Sequence, residues 1–267
     1  MIAFPNCKIN IGLYITGKRS DGYHNIETIF YPVRISDILE IIVADDNKFT
    51  FTSGGLHAGN AEDNLCVKAY RLLSEHYSLP PVKMHLHKTV PAGAGLGGGS
   101  SDGAHTLSLL NKKFDLNIDP KILMMFASIL GSDCPFFVYN KPCYASGRGE
   151  QIQPVDLDLS NYHLLVIHPG IHISTSWAFS QIQHFKPAAD LSSIGMMPVE
   201  EWKNNIRNDF EEASCRHFPE ISHIIDWMYQ QGAIYSCMSG TGSSVYGIFK
   251  EPVTEHPFPQ NYFYKWV

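Results

Sequence analysis

No two cysteines in the sequence are spaced as a CxxC pair, and none stands at the Cys/His spacing of a zinc site. The six present (Cys7, Cys66, Cys134, Cys143, Cys215, Cys237) are scattered. A chain of 267 residues needs no covalent staple, so they read as reduced thiols rather than a disulfide framework. Long hydrophobic runs are also missing: the longest charge-free apolar stretch, Ile122 to Leu130, is far too short to span a bilayer. The opening Met1 to Gly12 has no basic stretch ahead of an apolar core and no small-residue cleavage site. A cytoplasmic protein without a membrane partner is expected. Positive charge is in deficit, 20 Lys plus Arg against 26 Asp plus Glu, for a net charge of −6. That excludes a general attraction to nucleic acid and leaves room for a local basic pocket that takes a small anion. Internal repeats and low-complexity tracts are absent as well. What is there is the balance of a globular protein, 44% hydrophobic against 17% charged, with core enough for one large or two ordinary domains.

Periodicity predicts strands at Ile9 to Ile15, Ile26 to Val33, Ile38 to Val43 and Phe49 to Thr52, with a turn at Arg19-Ser20-Asp21-Gly22. A helix is expected from about Glu62, where Leu65, Ala69, Leu72 and Leu73 recur at helical spacing. Val82 to His87 alternates with period two, Val82, Met84 and Leu86 forming the apolar side. A glycine-rich run then leads into a helix expected to start at Ser100 or Ser101. Asp119-Pro120 opens another helix that stops at Gly131, and Phe136 to Tyr139 is strand-like. The turn-rich Ala145 to Glu150 precedes a strand at His163 to Ile167, and the domain boundary is expected here, dividing 1–153 from 154–267. Helices near Ser176 to Ile182, Glu200 to Ile206 and Phe218 to Gln230 follow, then a strand from Val245 to Phe249.

The run Pro91-Ala92-Gly93-Ala94-Gly95-Leu96-Gly97-Gly98-Gly99-Ser100-Ser101 has the chemistry of an anion cradle. Without side chains its backbone can turn N–H groups inward, and a helix start adds unsatisfied amides and the positive end of its dipole. A nucleotide phosphate is the natural guest, and a plain flexible turn is the alternative. Gly93 to Gly98 also satisfies the G-x-G-x-x-G dinucleotide pattern, but Lys83, His85 and His87 on the preceding strand do not suit a central parallel strand. Asp133, between Gly131 and the apolar Pro135-Phe136-Phe137, fits either a general base or a turn residue. Lys8 lies in an apolar segment where a lysine must pair or snorkel. Tyr23 and His24 at a turn suit stacking and hydrogen bonding with a base, or packing of the turn itself. Ser239-Gly240-Thr241-Gly242 offers a small-residue surface to a ligand, or turns the chain between a helix and a strand.

Pro91 to Ser101, Gly131 to Phe137, Met238 to Ser244 and Lys8-Ile9-Asn10 follow one another in the order of the motifs of the GHMP kinases, and the chain resembles that family of small-molecule kinases. The resemblance spans nearly the whole chain. Within the family, Pro5 to His24 and Glu62 to Leu65 resemble the members that act on an alcohol carrying a cytidine diphosphate group, and that resemblance implies a role in non-mevalonate isoprenoid precursor biosynthesis. The resemblance implies an α+β fold of two domains. The first, 1–153, would bind ATP and resemble ribosomal protein S5 domain 2; the second, 154–267, would be ferredoxin-like, with ATP and alcohol meeting in the cleft between them. Asp133 would be the general base and Lys8 its partner. Pro91 to Ser101 would hold the phosphates of ATP, with Lys88 and Asn64 near the adenosine. Tyr23, His24 and Phe179 would frame the cytidine, and Asn10 with Gly240, Thr241 and Gly242 would face the substrate's polar middle. Magnesium would ride on the ATP phosphates with no metal site of the protein's own. A monomer or weak homodimer is expected, without nucleic acid. The rival expectations are a family member acting on homoserine, a sugar or mevalonate, a dinucleotide-dependent oxidoreductase, and a silent nucleotide- or RNA-binding module. Two positions depart from the family pattern: Gly103 replaces an alanine, putting local rigidity in doubt, and Cys134 replaces a valine.

Overall fold

The structure is a computed structural model that describes residues 1–182, 187 and 189–267. The chain opens with β1 (Ile2–Ala3), β2 (Asn6–Lys18), β3 (His24–Ser36), β4 (Ile38–Val43) and β5 (Thr50–Gly55). Next come α1 (Leu65–Ser74), β6 (Val82–Lys88), α2 (Gly98–Lys113), α3 (Pro120–Leu130) and α4 (Cys134–Tyr139), then β7 (Cys143–Ser146) and β8 (Gln151–Pro154). The remainder holds β9 (His163–His168), α5 (Thr175–Ser180), α6 (Val199–Asn205), α7 (Glu211–His217), α8 (Pro219–Gln230), β10 (Tyr235–Met238), β11 (Val245–Phe249) and β12 (Phe263–Trp266). These elements gather into two compact units. One comprises Met1–Cys7, Arg34–Ala92 and Gly97–Lys141, the other Lys8–Val33, Gly93–Leu96 and Pro142–Val267.

The first unit is built on a sheet of order β1-β4-β6-β5, antiparallel except for β5 beside β6. Alternation decides its faces. Leu39 and Ile41 of β4 pair with Leu86 and Met84 of β6 on the buried side, while Ile38, Glu40 and Ile42 face water with His85 and His87. Lys88 ends β6 on the buried side of that pattern. Caps set the helix starts: Asn64 Oδ1 accepts from the Cys66 amide at α1 (2.9 Å), and Asp119 Oδ1 accepts from the Lys121 amide at α3 (2.8 Å). The strand expected at Phe136 to Tyr139 is instead the helix α4. Pro135 presets its first turn and Asn140, at φ 52°, closes it, so four consecutive apolar residues sit buried in a helix rather than a strand. Gly103 weakens nothing by chance: a Cβ there would lie 2.9 Å from Leu65 Cβ, so its absence allows α2 to approach the start of α1. Because β6 sits in a mixed sheet, the glycine run after it does not open a doubly wound parallel fold, and the dinucleotide expectation is corrected on that ground.

The second unit contains a sheet of order β2-β3-β7-β8, apart from the ends of β2 and β3 that run into the first, and the antiparallel sheet β10-β11-β9-β12. Ala145 to Glu150, read from sequence as a separator, belongs to a hairpin: Ala145 and Ser146 are in β7, and Gly147 at φ 70° turns the chain into β8. A core of Leu165 and Ile167 from β9, Ile221, Ile224 and Met228 from α8, and Val245 and Phe249 from β11 ties the antiparallel sheet to its helix. The sequence did not announce α7 or β12. Among the described residues no helix is long and apolar enough to cross a membrane, and no disulfide joins the six cysteines.

Candidate active site

The glycine run belongs partly to each unit, with Gly93 to Leu96 in the second and the residues from Gly97 onward in the first. In the first unit, Gly97 takes the left-handed conformation (φ 69°, ψ 16°), and α2 begins at Gly98, earlier than expected. The N-cap residue is a glycine with no side chain to cap the helix, so the amides of its first turn suit an external acceptor. Gly98 is buried, and a Cβ on it would stand 3.0 Å from Val90 Cγ1; Gly99 is exposed, with open space where its Cβ would be. Ser101 is turned inward, its hydroxyl 3.2 Å from His105 Nδ1. Burial holds that imidazole below its ordinary value.

Asp133 directly precedes α4 and does not cap it. Its neighbour Cys134 is buried, which pushes the thiol up to about 12, and the helix it opens, α4, packs on α2. Asp133 is half-buried and lies in the same unit as α2. The two residues expected near adenosine have internal partners. Asn64 caps α1 and donates from Nδ2 to the Ala58 carbonyl (3.2 Å). Lys88 is 3% exposed, with its ammonium bonded to Asp37 and to Asp102.

In the second unit three expected segments meet. The Lys8 amide donates to the Leu96 carbonyl (2.9 Å), the Asn10 amide to Ser239 Oγ (3.1 Å), and Ser239 Oγ to the Gly95 carbonyl (2.9 Å). The Ser244 amide adds a bond to the Ala94 carbonyl (3.2 Å). Packing here is backbone on backbone: Gly95, at φ 80°, would overlap the Ser239 carbonyl with any Cβ, and a Cβ on Gly240 would lie 3.1 Å from the Gly95 carbonyl oxygen. Lys8 is buried, its ammonium on Asn10 Oδ1 (2.5 Å) and 4.9 Å from the Phe30 ring centroid. Asn10 Nδ2 in turn donates to Thr28 Oγ1 (2.9 Å). Thr241 is half-buried between the buried Gly240 and Gly242.

His24 and Phe179, far apart in sequence, stack with centroids 4.7 Å apart at 18°. Burial first, then the charge of Lys18, holds the His24 imidazole below its ordinary value. Tyr23 is 56% exposed, and the Arg148 guanidinium lies 5.0 Å from its ring centroid. Sequence reasoning missed Asp37, Asp102, Arg148 and the bridging role of Ser239. One signal was available: Lys88 falls on the apolar side of the β6 alternation, where a buried charge demands a carboxylate. Nothing local marks Arg148 or Ser239, whose partners come from distant strands and loops.

Two family models match the chain, GHMP kinases N terminal domain over residues 64–141 and GHMP kinases C terminal over 197–256. A 4-diphosphocytidyl-2-C-methyl-D-erythritol kinase of Bacteroides fragilis (strain YCH46) is 50% identical over 263 residues, covering 97% of this chain and 96% of its own. One of that name from Porphyromonas gingivalis is 42% identical, with 94% and 93% covered. A crystal structure of 4-(cytidine 5'-diphospho)-2C-methyl-D-erythritol kinase superposes with a TM-score of 0.80 at 29% identity, over 93% of this chain and 90% of that one. The Methanococcus jannaschii mevalonate kinase shares the fold, with a TM-score of 0.69 at 12% identity over 93% of this chain and 90% of its own.

Proposed function

The chain belongs to the GHMP kinase family, and on that premise we propose that it transfers the γ-phosphoryl group of ATP to the 2-hydroxyl of 4-diphosphocytidyl-2-C-methyl-D-erythritol. The observation that supports this reading is that α4, which Asp133 directly precedes, packs on α2 near its glycine-rich start. Phosphoryl transfer asks a protein mainly for alignment and for neutralisation of phosphate charge. The uncapped first turn, Gly97 to Ser101, suits phosphate oxygens, and the exposed Gly99 leaves room for them. ATP supplies the phosphoryl group and leaves as ADP. Asp133 takes the proton of the 2-hydroxyl as the new O–P bond forms, and Lys8 contributes the balancing positive charge.

Gly93 to Leu96 continue the phosphate loop, with Pro91 and Ala92 at its entrance and Asn64 on the adenosine side. Tyr23, His24 and Phe179 frame the cytidine, the His24–Phe179 stack opening or sliding to admit the base. Asn10 and Gly240 to Gly242 face the diphosphate and the polyol. Magnesium would ride on the phosphates of the bound ATP. In the same proposal 1–153 and 154–267 are the two family domains, the protein works in the cytoplasm, and it does so as a monomer or weak homodimer.

A coupled ADP-release assay over a panel of alcohols tests the substrate. Release with the cytidine diphosphate compound, and little with homoserine, mevalonate or a free sugar, is the expected result. Brisk release with one of the others alone keeps the family and discards this substrate.

A further inference from the structure

The ammonium of Lys88 ends between two carboxylates, Asp37 and Asp102, the latter at 2.8 Å. Lysine and both acids are 3% exposed or less. The carboxylates belong to opposite flanks of the glycine run. Asp37 Oδ1 accepts from the amides of Thr89 (2.6 Å) and Val90 (2.9 Å), the last residues before Pro91. The Thr89 hydroxyl adds a bond to the Ser36 carbonyl (2.6 Å). Asp102 lies one turn into α2, and Gly98, the first residue of that helix, rests directly on the ammonium: a Cβ there would be 3.3 Å from Lys88 Nζ. A single side chain therefore links the strand that enters the loop to the helix that leaves it.

Stability alone does not account for this cluster. Burying two acids around one base is costly, and apolar residues of the same volume commonly serve a core as well or better. Burial pushes the Asp102 carboxyl up to about 8, and among the described residues its Oδ1 finds no hydrogen-bond partner. Burial alone would pull the Lys88 ammonium down, yet the two acids outweigh it and hold it above its ordinary value. Its charge persists, and so does its grip on both flanks.

We propose that Asp37, Lys88 and Asp102 form a buried clamp that holds the two flanks of the glycine loop at the spacing a triphosphate requires, making Lys88 and Asp102 positioning residues for ATP rather than contacts of the adenosine. This rests on the assignment of the loop to the ATP phosphates. Wild-type binding of ATP, measured by calorimetry on the full chain without acceptor, checks that assignment before any substitution is made; no binding by the wild type removes the assignment and the clamp with it. Asp102→Ala cuts the tie to α2 and leaves the neutral Asp37–Lys88 pair, so the fold should survive. It should weaken ATP binding about tenfold through loss of alignment, while the KM of the alcohol stays within about twofold. Asp102→Asn, whose amide oxygen still accepts from Lys88, should restore ATP affinity to within about threefold of the wild type. ATP affinity unchanged in Asp102→Ala overturns the clamp, as does an Asn variant no better than the Ala one. If circular dichroism finds Asp102→Ala unfolded, Lys88→Arg takes its place: its larger head must displace Gly98, and unchanged ATP affinity again overturns the proposal.

Discussion

Asp133 and Gly95 show how much can rest on one residue. Asp133→Asn keeps the size of the side chain and removes its basicity. Turnover should fall by roughly 10²- to 10⁴-fold with ATP affinity nearly unchanged, read by ADP release and calorimetry together. Full activity would take Asp133 out of the reaction. Gly95→Ala places a methyl group against the Ser239 carbonyl at a backbone angle L-residues avoid, and should cost about 2 kcal/mol or more in urea unfolding. Gly99→Ala, with open space around its Cβ, should be neutral or stabilising by up to about 1 kcal/mol while still weakening ATP binding. These glycines look alike in the sequence. What separates them is whether another backbone passes within contact distance, and that backbone comes from a loop more than a hundred residues away.

Among the elements, those with strong local signals were legible. Asp119-Pro120 and Gly131 bracket α3, and the alternation from Val82 fixes β6 and both of its faces. Asp119→Ala, which removes the cap bond to the Lys121 amide, should cost about 1 kcal/mol, visible as a lower thermal midpoint with kinetics unchanged. The misread element was α4, because a short apolar run carries no period and the decision fell to Pro135 and to Asn140 in a left-handed turn. That error bore on the site, since Asp133 directly precedes α4 and it is as a helix that this segment packs on α2.

For the whole molecule, the acid side of the stability curve carries a specific expectation. His168 is buried in the second unit with Ser243 Oγ 3.2 Å from its Nδ1, and burial lowers its value to about 4. The unfolded chain takes that proton near pH 6.5, so between 6.5 and about 4 it binds more protons than the folded one and stability falls as the pH drops. The loss from this group should reach about 3 kcal/mol at the bottom of the window and vanish above pH 6.5. Chemical denaturation across that range should show the limb, and His168→Gln should flatten it. The sequence by itself determined the α+β composition and most helix and strand positions, because propensity, period and capping act within a few residues, and its ordered motifs pointed to the family. Only the tertiary structure decided that Lys88 is held between two acids, that α4 packs on α2, and that Ser239 bridges Asn10 to Gly95. Those contacts join residues remote along the chain, whose partners are chosen by burial and by the demand that every buried polar group find one.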